Sequence, residues 1–295
     1  VVSNNINRAE KKLIATKGVG ERISLISTGS DEEEANAICD SIKAEIKINK
    51  NSFQDFAVLY RTNAQSRMIE QTMMKEGLPY NIVGGTKFYD RKEVKDVIAY
   101  LTLVCNPNDN IALKRIINFP VRGIGEKSVN IFNDLSLSKG ISLFESLKFC
   151  REIKLRGKQQ DSIESFYQSI DKFHDLLDTL DCKELLRALL EEFNIENYYK
   201  NNPAEQDRYD NIQELKLSID RFAEKSSGNM KEFLQEISLY TDLDDWDDKK
   251  NSVTLMTIHA AKGLEFSTVF VSGLEQGLFP LIRVDDDSDQ LEEER

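Results

Sequence analysis

The chain has 295 residues, of which 40% are hydrophobic and 31% charged, and a formal net charge of -12 at pH 7. This length supports one large or two ordinary domains with proper cores, and no run of about 18 apolar residues is present to span a membrane. Cys39, Cys105, Cys150 and Cys182 are scattered without CxxC spacing, which argues against a zinc site or a disulfide framework and for a reduced, cytoplasmic setting.

An acidic balance taken alone opposes a nucleic-acid partner, because phosphate binding needs local Lys and Arg. The acid is uneven, however. It concentrates in Asp31–Glu34, Asp242–Asp248 and Asp285–Glu294, whereas Arg115–Lys127 and Lys148–Lys158 are basic. A basic surface on an acidic molecule is therefore compatible with the composition.

Residues 1–20 are polar, lack the apolar core of a signal peptide, and lead into a short predicted strand at Ile23, Leu25 and Ile26. Asp31 opens a helix with acids in its first turn and Ala35, Ile38, Ile42 and Ile46 on one face. Phe53–Leu59 reads as the next strand. Asn63 then caps a helix carrying Met68, Ile69, Thr72 and Met73, which stops at Gly77. Tyr80–Val83 is a brief strand, Gly84-Gly85 a turn, and Asp90 begins a helix with Val94, Val97, Ile98 and Leu101 on one face. This alternation predicts a parallel α/β layer. After Asn106-Pro107-Asn108 the pattern becomes helical, with segments near 126–136, 141–150, 160–179, 183–193, 208–225 and 229–240. Leu176, Leu177, Leu180, Leu185, Leu186, Leu189 and Leu190 read as core-facing stripes, and His174 within them as structural. Strand character returns at Val253. The expected architecture is an α/β domain formed by 1–105 and 250–295, interrupted by an all-α insertion over 106–249.

Four segments carry candidate chemistry. In Tyr60–Arg67 (YRTNAQSR) a strand feeds a helix, where open α/β sheets bind ligands; Arg61 and the helix-start N–H groups can hold a phosphate. The plain structural reading makes Asn63 a cap and Arg61 a surface ion pair. In Gly84–Asp96 (GGTKFYDRKEVKD), Arg91, Glu93 and Asp96 read chiefly as pairs that fix a helix. In Asn118–Ser128 (NFPVRGIGEKS), glycines flank Ile124 just before a helix and expose backbone N–H groups to a phosphate, unless the segment is only a tight turn. Glu126 occupies the glycine position preceding Lys127, so the ATP phosphate-loop pattern is not met there. Last, Val253–Pro280 (VTLMTIHAAKGLEFSTVFVSGLEQGLFP) sets His259, Lys262, Gly263 and Glu265 between two apolar strands. Nothing at metal spacing accompanies His259, so no metal is expected.

The last string, T-x-H-x-x-K-G-L-E-F through GLEQGLFP, resembles motif V of superfamily 1 DNA helicases of the UvrD/PcrA/Rep group. YRTNAQSR, the GGTKFYDRKEVKD block (Val94 in place of Ile) and RGIG resemble the same family, and the resemblance covers essentially the whole chain. It implies a RecA-like parallel sheet domain, P-loop NTPase-like but lacking its own phosphate loop, interrupted by an all-α inserted domain. It also implies contacts of Arg61, Asn63, Thr257 and His259 with single-stranded DNA, and of the Arg122, Gly123, Ile124, Gly125 loop with duplex at the single/double-strand junction. Glu265 is implied to contact the ATP ribose, with Lys262 and Gly263 shaping the loop between the two ligands.

No phosphate loop or DExx box occurs, and the family carries both in a first RecA-like domain. The expectation is therefore a piece of a 3′-to-5′ helicase of DNA repair or replication, beginning just after the family's QNYRS string and ending in the opening of motif VI at Glu292–Arg295. No complete catalytic set is present. ATP and Mg2+ are expected with the full-length enzyme and not with the piece alone. The missing first domain, DNA and repair proteins are the expected partners, and a membrane is not. Two alternatives stay open: a helicase–nuclease subunit of the AddA/RecB branch, and a non-enzymatic module that docks protein through its helices.

Overall fold

The computed structural model describes residues 20–225, 229–243 and 251–279. The acidic stretch 285–294 and the Glu292–Arg295 ending lie outside the described residues, as does 244–250. The chain divides into two compact units, one of residues 1–85 with 247–295 and the other of residues 86–246.

The first unit is built on a four-stranded sheet in the order β2-β3-β1-β4, where β1 is Phe56–Tyr60, β2 Tyr80–Val83, β3 Val253–Thr257 and β4 Thr268–Val271. All pairings are parallel, with Val58 opposite Leu255 and Phe270, and Ile82 opposite Leu255. The central strands β1 and β3 bury residues on both faces, and α1 and α2 pack on the face that carries Phe56, Val58, Tyr60, Val253 and Leu255. Helix α1 (Asp31–Asn49) starts where Ser30 Oγ accepts the Glu33 N–H at 3.2 Å, and Asp31–Glu34 add negative charge at the positive end of its dipole. It buries Ala35, Ile38, Cys39 and Ile42. Helix α2 (Ser66–Lys75) buries Ile69 and Met73, and Gly77 follows it at φ +66°, the left-handed geometry that ends a helix cheaply only with glycine. Burial pushes the Cys39 thiol up to about 12, so it stays a protonated apolar group of this core.

The predicted strand at Ile23–Ile26 does not form: Ile23 is 100% and Leu25 87% exposed. β-propensity orders a strand only when a neighbouring edge takes up its hydrogen bonds, and none of the described strands does so. The Phe53–Leu59 strand begins later, at Phe56, because Phe53–Asp55 close a one-turn 3-10 helix capped by Ser52 and Asp55.

The second unit is helical among the described residues: α3 (Lys92–Cys105), α4 (Asn110–Ile116), α5 (Glu126–Lys139), α6 (Leu143–Ser146), α7 (Gly157–Asp175), α8 (Cys182–Glu192), α9 (Ile195–Lys200), α10 (Gln206–Lys225) and α11 (Met230–Leu243). Its core contains Val97, Leu101, Phe132, Phe166, Leu186, Leu189, Ile212 and Leu215. Residues 86–105, assigned from the sequence to the sheet domain, belong here, so the boundary falls after Gly85. Helix α3 is buried nearly all round, and such a helix needs helices on every side. Its polar start is fastened to α10: Arg91 Nη1 donates to Asn211 Oδ1 at 2.7 Å, and Asn211 Nδ2 donates to Glu93 Oε1 at 2.6 Å. Asp96 pairs with Lys92 and, at 2.7 Å, with Arg115. His174 Nδ1 lies 2.7 Å from the Val104 carbonyl. Leu185, Leu186, Leu189 and Leu190 are core residues, whereas Leu177 and Leu180 only flank the core.

Candidate functional site

The carboxyl ends of the parallel strands carry the first group of candidate residues. β1 and β3 run in register to their ends, with Tyr60 opposite Thr257, and the Ile258 N–H donates to the Tyr60 carbonyl at 2.9 Å. The loop leaving β1 and the loop leaving β3 are neighbours for that reason.

The β1 loop is organised by Gln65. Its Oε1 accepts the N–H groups of Arg61 at 2.9 Å and Thr62 at 2.8 Å. Asn63 is not the cap of α2: it lies inside a one-turn 3-10 helix over Asn63–Gln65 that precedes α2, with Thr62 at the start of that turn and Gln65 at the N-cap position of α2. Ser66 Oγ donates to the Asn63 carbonyl at 2.9 Å and to Glu70 Oε1 at 2.5 Å, and Arg67, 2% exposed, donates to Gln71 Oε1 at 2.7 Å. The second half of YRTNAQSR is thus fixed inside the protein, while Arg61 and Asn63 remain partly exposed.

The Gly84-Gly85 turn lies within ordinary contact of both the β1 loop and the β3 loop. A Cβ on Gly85 would stand 3.5 Å from Asn63 Oδ1, and one on Gly84, at φ +75°, 3.5 Å from the Ala260 Cβ. Gly273 follows β4 at φ +69°; a Cβ there would collide with Gln65 Nε2. The Gly273 N–H donates to Glu34 Oε1 at 2.9 Å, which ties the β4 loop to α1. Gln65, Gly273 and Glu34 are not among the sequence candidates. The Thr62-x-x-Gln65 spacing of a capping box was the available signal for the first; the other two carry no local signal.

The β3 loop turns on Thr257. Its carbonyl accepts the N–H groups of Ala260 at 3.0 Å and Ala261 at 3.2 Å, and the Leu264 N–H donates to the Ala261 carbonyl at 3.0 Å. Gly263 has φ +87°, a conformation that disfavours a side chain. His259, Lys262, Gly263 and Glu265 are exposed and Thr257 is partly exposed. The connection from β3 to β4 therefore exposes an imidazole, an ammonium and a carboxylate, and it leaves the sheet at the edge where the β1 loop carries Arg61 and Asn63. Among the described residues no group of three or more His, Cys, Asp and Glu side chains is arranged to hold a metal ion.

The Asn118–Ser128 segment lies in the helical unit. Asn118 Oδ1 accepts the N–H groups of Arg122 at 2.9 Å and Ile124 at 3.0 Å. The Arg122 guanidinium turns inward, donating to the carbonyls of Ile116 at 3.0 Å and Phe119 at 2.6 Å and to the Tyr100 hydroxyl at 2.6 Å. It lies over the rings of Phe166 and Phe193, 5.1 and 5.2 Å from their centroids. Ile124, 2% exposed, is a core residue. Of the four sequence candidates here, Gly123 and Gly125 are exposed, and a Cβ on either meets nothing within 4 Å. Main chain at Gly123 and Gly125 is open to a ligand and runs into the first turn of α5, where the Glu126 and Lys127 side chains are also exposed.

A family model described as the UvrD-like helicase C-terminal domain matches residues 1–295. Among curated relatives, the ATP-dependent DNA helicase PcrA of Bacillus subtilis (strain 168) is 39% identical over 304 residues, covering 100% of this chain and 41% of the relative. Proteins of the same name from Staphylococcus aureus (strain Mu50 / ATCC 700699) and Leuconostoc citreum are 38% and 36% identical, again over 100% of this chain and 41% of the relative. The chain spans about two fifths of the length of the curated relatives it matches.

Proposed function

The chain belongs to the UvrD-like helicase C-terminal domain family, and from that premise we propose that it is the strand-gripping, nucleotide-capping part of an ATP-dependent helicase that moves 3′ to 5′ on DNA. Residues 1–85 with 247–295 serve as its second RecA-like domain and 86–246 as the inserted body that meets the duplex at the single/double-strand junction. The observation that carries this reading is the connection from the carboxyl end of β3 to the start of β4, in which His259 and Glu265 are both exposed and whose first residues neighbour the β1 loop that bears Asn63. The name that the relatives carry, ATP-dependent DNA helicase PcrA, supports it.

In this reading Arg61, Asn63, Thr257 and His259 hold the sugar–phosphate path of a single strand. Glu265 accepts from a ribose hydroxyl of ATP, and Lys262 and Gly263 shape the turn between. The phosphates and Mg2+ are held elsewhere, because the sequence has no GxxxxGK[ST] loop and no DExx box. A first RecA-like domain of the same protein supplies those groups. Coupling follows from the shortness of the loop: a displacement at Glu265 on nucleotide binding is felt at His259, and linkage makes the effect reciprocal. The setting is DNA repair or replication in the cytoplasm. No described helix is long and apolar enough to cross a membrane.

The test uses fluorescence anisotropy of a labelled single-stranded oligonucleotide with the chain, over a series of salt concentrations. Binding is expected to weaken steeply with salt, as counterion release requires. Combined Asn63→Ala and His259→Ala replacements are expected to raise Kd about tenfold. Phosphate release from ATP by the chain alone is expected to stay at background. Robust turnover, or binding that ignores both salt and these replacements, overturns the reading.

A further inference from the structure

The Asn118–Lys127 loop holds an arginine whose charge is already spent. Reaching outward, the Arg122 guanidinium would forfeit its bonds to Ile116, Ile117, Phe119 and Tyr100 and leave three aromatic rings. Charge-assisted bonds of this kind are the strong ones, and the planar fork that makes several at once is particular to arginine. Two of the carbonyls end α4, where a cation also meets the negative end of the helix dipole. Asn118 acts from the other side, one side-chain oxygen gathering the N–H groups of Arg122 and Ile124. Gln159 Nε2 donates to the Gly123 carbonyl at 2.7 Å and pins the turn between them. The Ser128 N–H already donates to the Gly125 carbonyl at 3.0 Å; with the donors of 122 and 124 occupied as well, the remaining ones are those of Gly123, Gly125, Glu126 and Lys127, the last two at helix positions that have no acceptor within the helix.

We propose that Asn118 and Arg122 are positioning residues for the duplex-facing loop: they touch no DNA, and they hold the main-chain N–H groups of Gly123, Gly125, Glu126 and Lys127 in the array that docks a DNA backbone phosphate. This rests on the assignment of the loop to duplex DNA under the proposed function. It reverses the role that the sequence suggests for Arg122. A direct phosphate ligand acts through its charge, so lysine serves nearly as well, and neutralising it flattens the salt dependence. A positioning arginine acts through its fork, so lysine fails and the salt dependence stays.

Three variants of the chain decide it, Asn118→Ala, Arg122→Lys and Gly125→Glu, each titrated onto a labelled blunt hairpin duplex and a labelled single strand over a salt series. Asn118→Ala changes no charge, yet it is expected to weaken duplex binding about tenfold. Single-strand affinity is expected to hold within about twofold, and the log–log salt slope to stay within about half of the unit that one lost phosphate contact costs. Arg122→Lys is expected to behave in the same way. In Asn118→Ala the Ile124 amide is also expected to lose hydrogen-exchange protection. Wild-type duplex affinity in Asn118→Ala or Arg122→Lys, with Gly125→Glu impaired, overturns the positioning role and leaves the duplex assignment standing. Wild-type affinity in Gly125→Glu, where a Cβ meets nothing within 4 Å, overturns both. If Arg122→Lys fails to fold by circular dichroism, the exposed and neutral Asn118→Ala change decides between the two roles by itself.

Discussion

Asn211 shows what one buried amide can do. It is 4% exposed, accepts from Arg91 Nη1 at 2.7 Å and donates to Glu93 Oε1 at 2.6 Å, so it stands between a buried cation and a buried carboxylate. Arg91 also covers the Phe88 ring at 5.1 Å and donates to the Thr86 carbonyl. The chemistry of GGTKFYDRKEVKD was legible as structural pairing; its partner was not, because Asn211 lies far along the chain and no local pattern marks it. Replacing Asn211 by Leu keeps the volume roughly constant and strips a hydrogen bond from each ion. The expected cost is about 2–4 kcal/mol of stability, most of it from the desolvated Glu93. Urea denaturation checks this: the midpoint falls while the slope with denaturant holds, and an unchanged midpoint would show that the network does not hold α3 to α10.

Helices of several turns were legible, α2 among them, and of the short ones α6 falls inside the segment read at 141–150. α1, α3, α5, α7, α8, α10 and α11 coincide with predicted helical segments or starts to within a few residues. α4 and α9, over Asn110–Ile116 and Ile195–Lys200, went unread because one or two turns hold too few residues for a periodicity, and such helices survive by packing. The reading at 23–26 failed for the opposite reason, since alternation was present and a partner edge was not. At the site, the exposed β3 loop was legible as a charged, glycine-containing interruption between apolar strands. The inward turn of Arg122 was illegible, because an arginine beside glycines has the same sequence signature whether it faces solvent or an aromatic wall. Cap chemistry gives the test at this scale. Ser30 holds the start of α1, and the same turn carries Glu34, the acceptor for Gly273 N–H. Ser30→Ala is expected to cost about 1 kcal/mol. A second effect should follow, faster exchange of the Gly273 amide as the first turn frays. Exchange at Gly273 that matches wild type would separate the cap from the β4 loop.

At the scale of the molecule, the two cores share no residue. The helical core draws on residues between Phe88 and Ile237, and the sheet core on residues between Ala35 and Leu78 together with Val253 and Leu255. The helical unit is one continuous stretch of chain, whereas the sheet unit is assembled from two. Residues 86–246 expressed alone are therefore expected to fold, with strong helical circular dichroism and a single cooperative melt. The sheet unit behaves differently because β2 and β3 are parallel neighbours, Tyr80 facing Val253. A chain leaving the end of β2 must return to the start of β3, so the whole insertion acts as a crossover connection. Parallel strands need a dozen or more residues for that return. If everything between β2 and β3, residues 84–252, is replaced, a Gly/Ser bridge of about 15 residues is expected to restore the sheet, and one of about 4 residues to leave it unfolded, because a tight turn can join only antiparallel strands. Equal folding with both bridges would mean that β2 and β3 do not pair in parallel. A non-cooperative melt of residues 86–246 alone would mean that the helical core needs the sheet, and the two units would then have to be treated as one body.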